Sequence, residues 1–187
     1  MSDNPISAGN QQERLYEFVS EKLGHYLAGF ADGEGSFNIS FRPREDYRSP
    51  WKVSACFNIS QKERAILTVF QKTLGCGTLR SRPDGVWYYE VNTLKDIQQC
   101  VIPFFQTFPF LSEKKIRDFQ LFTQLVAMLQ EGKQHSRSGI ESILEIRRPM
   151  NGGGKRKFSE EDILKRFHEE SSETIRQTRI SFDSGMI

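Results

Sequence analysis

The stretch YLAGFADGEGSF, Tyr26 to Phe37, decides how the rest of the chain is read. Upstream of it and into it, Leu15, Phe18, Val19, Leu23, Tyr26, Leu27 and Phe30 recur at spacings of three and four, an apolar stripe at helical period. Ser20 is placed to cap a helical piece that ends near Ala31. The helix then closes on two carboxylates, Asp32 and Glu34, each followed by a glycine. A helix C-terminus carries partial negative charge and favours cations, so two acids there work against the local electrostatics unless something compensates them. From Ser36 the period changes to two: Phe37, Ile39 and Phe41 alternate with Ser36, Asn38, Ser40 and Arg42, the pattern of a half-buried strand.

The strand logic repeats downstream. Trp51, Val53, Ala55, Phe57 and Ile59 share one face and Lys52, Ser54, Cys56, Asn58 and Ser60 the other, and the polar segment PREDYRSP joins the two strands as a long hairpin. Glu63 to Leu74 has helical spacing with Ile66, Leu67, Phe70 and Leu74 inward. A second hairpin, TLRSR and VWYYEVN, turns at Pro83-Asp84-Gly85. Lys95 to Phe108 reads as a helix interrupted near Pro103, and Glu113 to Gln130 as a longer one. The predicted class is α+β, an α-β-β-α-β-β-α core over residues 15–134. An N-terminal arm, 1–14, precedes it. A C-terminal helical extension, 135–187, follows, with short helices at 139–148 and 159–170 around the basic linker RRPMNGGGKRK.

Bulk properties narrow the function. The fifteen phenylalanines supply a sizeable core, and no apolar run approaches the roughly 20 residues needed to cross a bilayer. With no signal-peptide pattern at the start, a soluble intracellular protein without a membrane partner is expected. Cys56, Cys76 and Cys100 have neither paired nor zinc-type spacing and read as reduced core or sheet residues; His25, His135 and His168 form no metal pattern either. The net charge is only +2, yet residues 36–90 hold nine basic against five acidic side chains while residues 1–35 hold two against six. The basic surplus falls on the strands, which points to a polyanionic partner there.

LAGFADGEG in this setting resembles the signature of the LAGLIDADG homing endonucleases. Taken alone, the string is equally a helix stop followed by a turn; the two hairpins alternating with helices behind it separate the readings. The resemblance covers roughly residues 15–130 and involves one copy of the motif, as in the family's homodimeric members. It implies a site-specific endonuclease that cuts a long pseudo-palindromic DNA target on both strands across the minor groove, by divalent-metal-dependent phosphodiester hydrolysis. An intron-encoded enzyme of an organelle or a prokaryotic cytoplasm is then expected. Leu27, Ala28 and Gly29 include two small residues on a helix face, suited to close approach of the same helix from a second copy. Glu34 from each copy, with the Gly33 carbonyl oxygen, forms a set of hard oxygen donors for Mg²⁺, for which Ca²⁺ or Mn²⁺ can substitute. Asp32 is assigned to organising the helix end. Two further positions match the family: Gln61, in FNISQK, aligns with the residue that orients solvent, and Lys114, in PFLSEKK, with the lysine near the scissile phosphate, Lys115 being the alternative register.

The polar strand face is the candidate DNA reader, since such a sheet can lie along the major groove and meet its distinguishable base edges. Its members are Ser36, Asn38, Ser40, Arg42 and Arg44, then Lys52, Ser54, Asn58 and Ser60, then Arg80, Arg82, Tyr88, Glu90 and Asn92. Two other functions remain open at this point: an RNA-binding intron maturase on the same scaffold, and a DNA-binding regulator without catalysis.

Overall fold

The structure is a computed structural model of the chain and describes residues 19–44, 49–154 and 156–167. The expected N-terminal arm, Leu15 and Phe18 of the apolar stripe, and the end of the last helix lie outside the described residues. Ser20 caps the first helix as expected, its side-chain oxygen accepting the Leu23 N–H at 3.3 Å. Helix α1 spans Glu21–Glu34 and so continues past the expected end near Ala31. Gly33 stays helical, and the chain leaves the helix only at Gly35, where a Cβ would sit 2.6 Å from the Ala31 carbonyl oxygen. That close approach lets strand β1, Gly35–Pro43, begin without a loop.

Strand β1 pairs antiparallel with β2, Trp51–Gln61, from Gly35 opposite Ile59 to Pro43 opposite Trp51. Helix α2, Arg64–Leu74, stops at Gly75, which takes the left-handed conformation at φ 68°. Strands β3, Thr78–Ser81, and β4, Trp87–Val91, form the second hairpin. Its turn is closed by the Arg82 N–H on the Val86 carbonyl at 2.9 Å, and the Asp84 carboxylate accepts the Val86 N–H at 3.1 Å. β4 also pairs with β2, giving an open antiparallel sheet in the order β1-β2-β4-β3.

Helical run α3, residues 94–107, joins Leu94–Asp96, a π-helical turn at Ile97–Val101, and Ile102–Thr107. The interruption expected near Pro103 is this wide turn and not a break. Proline gives no N–H to the preceding turn and its ring crowds the carbonyl four residues back, and a π-turn just ahead of it relieves both conflicts. Helix α4, Glu113–Gln130, and α5, Arg137–Arg147, follow, with 3₁₀ turns at Lys133–His135 and Met150–Gly153 and a final helical segment at 160–167.

The core fills the side of the sheet that carries the odd-numbered β1 and β2 residues. Phe37 stands at its centre, with ring centroids of Phe57, Phe105, Phe110, Phe119 and Phe122 between 4.9 and 5.9 Å away. Residues beyond 134 are not a separate unit among the described residues: Ile140, Ile143, Leu144, Met150 and Ile163 belong to the same buried cluster. The Trp51 indole N–H donates to the Ile163 carbonyl at 3.0 Å, and the Asn151 side chain donates to the Phe37 carbonyl at 2.9 Å. The extension thus lies beside the free edge of β1 and pairs the Phe37 carbonyl there, a backbone group that such an edge would otherwise leave unpaired.

Candidate functional site

The two acids at the end of α1 have different surroundings. The Asp32 carboxylate turns toward the start of α4, accepting the Leu111 N–H at 3.2 Å, the Ser112 N–H at 2.9 Å and the Ser112 hydroxyl. Ser112 is the N-cap of α4, where four backbone N–H groups lack helical partners and partial positive charge collects. Partial burial pushes the Asp32 carboxyl up, but the Ser112 hydroxyl and N–H, the Leu111 N–H and the Lys115 charge together outweigh it and hold the group below its ordinary value. Asp32 therefore fastens the C-terminal end of one helix to the N-terminal end of another.

Glu34 is exposed, as is Gly33 beside it. The fold places Lys115 beside the motif, its ammonium donating to the Gly35 carbonyl. Burial pushes that lysine down; Asp32, Asp118 and Glu34 pull it back only in part, and the net value is lowered. Lys114, the residue selected by alignment, is exposed one position earlier, so the structure seats Lys115 rather than Lys114 against the motif. Gln61 ends β2 opposite Trp87, two positions beyond the Ile59 that pairs with Gly35, and so lies at the motif end of the sheet. No group of three His, Cys, Asp or Glu side chains suited to a metal occurs among the described residues. One chain offers the exposed Glu34 carboxylate and neighbouring backbone carbonyls, hard oxygen donors that fit Mg²⁺ but make only part of a coordination shell.

The helix face expected to meet a second copy needs correction. Leu27 and Ala28 are 0% and 2% exposed and belong to this chain's own core. A period of 3.6 turns Leu27, Ala28 and Ala31 inward together and leaves Tyr26, Gly29 and Gly33 on the outward stripe. A Cβ at Gly29 or Gly33 would meet nothing within 4 Å, whereas one at Gly24, on the inward side, would come within 2.3 Å of the Phe108 ring. Tyr26, 58% exposed, and Leu111, 91% exposed, are the large hydrophobic side chains left uncovered among the described residues.

The even-numbered strand residues form one polar face, as the alternation predicts. The register aligns Ser36 with Asn58, Asn38 with Cys56, Ser40 with Ser54 and Arg42 with Lys52, then Asn58 with Glu90 and Ser60 with Tyr88. Several of these groups already engage one another: Arg80 is ion-paired with Glu90, the Arg82 guanidinium lies 4.1 Å from the Tyr88 ring centroid, and Asn38 donates to the Ser36 hydroxyl at 3.0 Å. Arg44 leaves the strand with its N–H on the Pro50 carbonyl at 2.9 Å, and Asn92 is exposed just past β4.

The sequence model described as LAGLIDADG endonuclease matches residues 27–126, a span that runs from the motif helix through most of α4. The chain belongs to the LAGLIDADG endonuclease family. Homing endonuclease I-ApeII of Aeropyrum pernix is 31% identical over 151 residues, which cover 76% of this chain and 89% of that protein. A probable intron-encoded endonuclease of Neurospora crassa is 29% identical over 132 residues, 68% of this chain but only 29% of its own length. Among solved structures, the homing endonuclease I-TnaI superposes with a TM-score of 0.67 at 27% identity, covering 79% of this chain and 97% of that one. The archaeal intron-encoded homing endonuclease I-Vdi141I, solved with DNA, shares the fold at a TM-score of 0.72 and 23% identity, covering 79% and 96%. The LAGLIDADG match contains Glu34, Gln61, Lys114 and Lys115; the extension beside the β1 edge lies beyond it. No helix among the described residues is long and apolar enough to cross a membrane.

Three residues near the site escaped the sequence reading. Asp118 is 3% exposed and lies on the inward stripe of α4 with Phe122 and Leu125; an acid at such a position is itself a visible signal. Asn151 accompanies it, donating its N–H to the Asp118 carboxylate at 3.1 Å. Leu111 gave no signal, since a single leucine between a phenylalanine and a serine does not announce its exposure; its N–H is held by Asp32.

Proposed function

We propose that this LAGLIDADG endonuclease is a site-specific enzyme of double-stranded DNA that works as a homodimer and depends on Mg²⁺. The observation that carries the reading is the incompleteness of one chain: an exposed Glu34 at a helix end, with the neighbouring acid already bound to α4, beside an outward stripe of Tyr26, Gly29 and Gly33. Two copies crossing at that stripe bring the two Glu34 carboxylates and Gly33 carbonyls together at a two-fold axis. Those groups would hold Mg²⁺ with phosphate oxygens completing the shell; when bound, the ion polarises the phosphate and makes water a stronger nucleophile at neutral pH. Ca²⁺ or Mn²⁺ are the substitutes to test.

The chain's own residues do the positioning. Gln61 orients solvent at the strand end, the Lys115 ammonium neutralises charge that develops on the phosphate, and Asp32 holds the start of α4 so that this lysine faces the motif. The polar sheet face, from Ser36 through Arg42 and across to Arg80 and Tyr88, reads base edges in the major groove on either side of the cut. A two-fold dimer reading DNA this way selects a pseudo-palindromic target, and an enzyme acting on genomic DNA works inside a cell, in an organelle or a prokaryotic cytoplasm. The maturase reading is not favoured, because the relatives carry endonuclease names and neighbours of the same fold were solved on DNA. The test is a nicking assay on supercoiled DNA bearing the target, with Mg²⁺ or Ca²⁺. Glu34→Gln is expected to lower cutting at least about a hundredfold while leaving specific binding within about threefold. Cutting by that variant at the wild-type rate would remove Glu34 from the site, and no cutting by the wild type would favour the non-catalytic regulator.

A further inference from the structure

Asn151 is the non-glycine residue at positive φ among the described residues, at φ 54° and ψ 31°, followed by Gly152 and Gly153 at φ 67° and 69°. Glycine adopts this conformation without strain, so what asparagine adds at the position is its amide. That amide is aimed at strand β1. Its Nδ2 donates to the Phe37 carbonyl at 2.9 Å and, with its second hydrogen, reaches the Asn38 Oδ1 at 3.4 Å. Asn38 in turn donates from its Nδ2 to the Ser36 Oγ at 3.0 Å. Underneath, the Asn151 N–H is held by the buried Asp118 carboxylate at 3.1 Å, which fixes the backbone from which the amide projects. Asn38 and Ser36 lie on the polar face of the sheet and on the wall of a 510 Å³ cleft between β1 and the C-terminal extension, which Asn151 also lines.

We infer that Asn151 is a positioning residue for base recognition: by holding the Asn38 oxygen it fixes which way the Asn38 amide faces, and so which of its two ends meets which atom of a base. The inference rests on reading the polar face as the DNA surface. A free asparagine amide recognises adenine with two bonds, its oxygen accepting from N6 and its nitrogen donating to N7. In this structure one lone pair of the oxygen is engaged by Asn151 and one amide hydrogen by Ser36, which leaves one lone pair and one hydrogen, held in fixed places, for a partner. Held this way the amide presents an acceptor beside a donor, the complement of adenine N6 and N7, and matches the two acceptors of guanine, O6 and N7, less well. The residue that sets this preference lies in the extension, outside the strands that face the DNA.

Asn151→Gly is the clean perturbation, because glycine is at ease at φ 54° and the N–H to Asp118 is kept while the amide is deleted. Asn151→Asp is its opposite, placing an acceptor against the Asn38 oxygen so that the Asn38 amide turns over. Full-length wild type, these two variants and Asn38→Ala are each used to enrich a randomised double-stranded DNA library by binding in Ca²⁺, and the enriched pools are sequenced. Asn151→Gly is expected to lower adenine over guanine by about fivefold or more at one base pair per half-site, the same pair at which Asn38→Ala loses its preference. Asn151→Asp, which turns the amide over, is expected to lower adenine at that pair at least as far. A merely structural role would lower binding evenly across all positions and leave the base profile unchanged, and that result would overturn the inference. So would a change at a pair that Asn38→Ala does not touch. If wild type enriches no sequence at all, the DNA reading of the sheet falls first and takes this inference with it.

Discussion

Replacing Gly29 by leucine separates what a helix needs from what a second copy needs. In the single chain a Cβ at this position meets nothing within 4 Å, so the leucine side chain is free of clashes there. It also gains helix propensity worth about 0.8 kcal/mol over glycine, so α1 on its own is expected to become slightly more stable. In a dimer whose helices cross at Gly29 and Gly33, the same side chain lies where backbones must approach closely. Overpacking of this kind costs about 1–3 kcal/mol per site, and the two-fold axis doubles it to about 2–6 kcal/mol, which corresponds to weakening of the dimer by roughly 30-fold to 10⁴-fold. Sedimentation equilibrium over a range of concentrations, with circular dichroism on the same samples, measures both sides of the argument. The expected result is a helical, folded monomer with cutting lost, and Gly29→Ala in between. An unaltered dimer for Gly29→Leu refutes the crossing point. A dimer lost together with the fold would show that the chain cannot stand without its partner, and the propensity argument would then be the wrong frame.

Asp32→Asn removes a charge-assisted cap from α4 and is expected to lower stability at pH 7 by about 1 kcal/mol. The Asp32 carboxyl is held below its ordinary value of 3.8, so its contribution is present above that pH and is lost as pH falls through the lowered folded value. Thermal melts of the two proteins should therefore converge in acid, and a gap that widens there contradicts the assignment. Lys115→Met is expected to cut at least about ten times more slowly and Lys114→Met within about threefold of wild type; the reverse order in a cleavage assay restores the aligned register. The alkaline decline of cutting should lie below the ordinary lysine range because burial lowers Lys115, and Lys115→Arg should shift it upward. Gly24→Ala drives a Cβ to 2.3 Å from the Phe108 ring, a clash costing about 1–3 kcal/mol against about 1 kcal/mol gained in helix propensity. The urea midpoint should fall, and an unchanged or higher one means that Phe108 moves aside easily.

The order of elements was legible because each depends on local pattern: period two through Ser36–Arg42, helical spacing through Ile66–Leu74, and a turn set by Pro83-Asp84-Gly85. What the sequence left unread depends on contacts between distant segments. The inward or outward sense of Leu27 against Gly29 follows from where the sheet packs on α1, and a helical stripe with apolar residues on both flanks does not announce it. The seating of Lys115 rather than Lys114 is set by the phase of α4, which Ser112 and Asp32 establish from two ends of the chain. Asn151 needed three pieces at once: a left-handed backbone, a buried acid on α4 and a carbonyl on the edge of β1. Sequence spacing carries none of these.

Two acids at the C-terminal end of one helix are each unfavourable there by about 0.3–1 kcal/mol. Asp32 meets that cost with the opposite end of a second helix, whose orphan N–H groups and positive dipole return about 1 kcal/mol for a capping side chain, so its net effect is stabilising and its charge has a reason that ends within the chain. Glu34, two residues on, stays exposed. Since the two side chains are two residues apart on a helix, they lie on different faces and cannot share the cap. The fold thus leaves one carboxylate exposed at the end of α1, without a hydrogen-bonded cap of the kind that holds Asp32. In the proposed dimer a second copy of the same end adds a like charge, which a divalent cation offsets, so cation binding and dimer formation are expected to be linked and to fail together when Gly29 is filled.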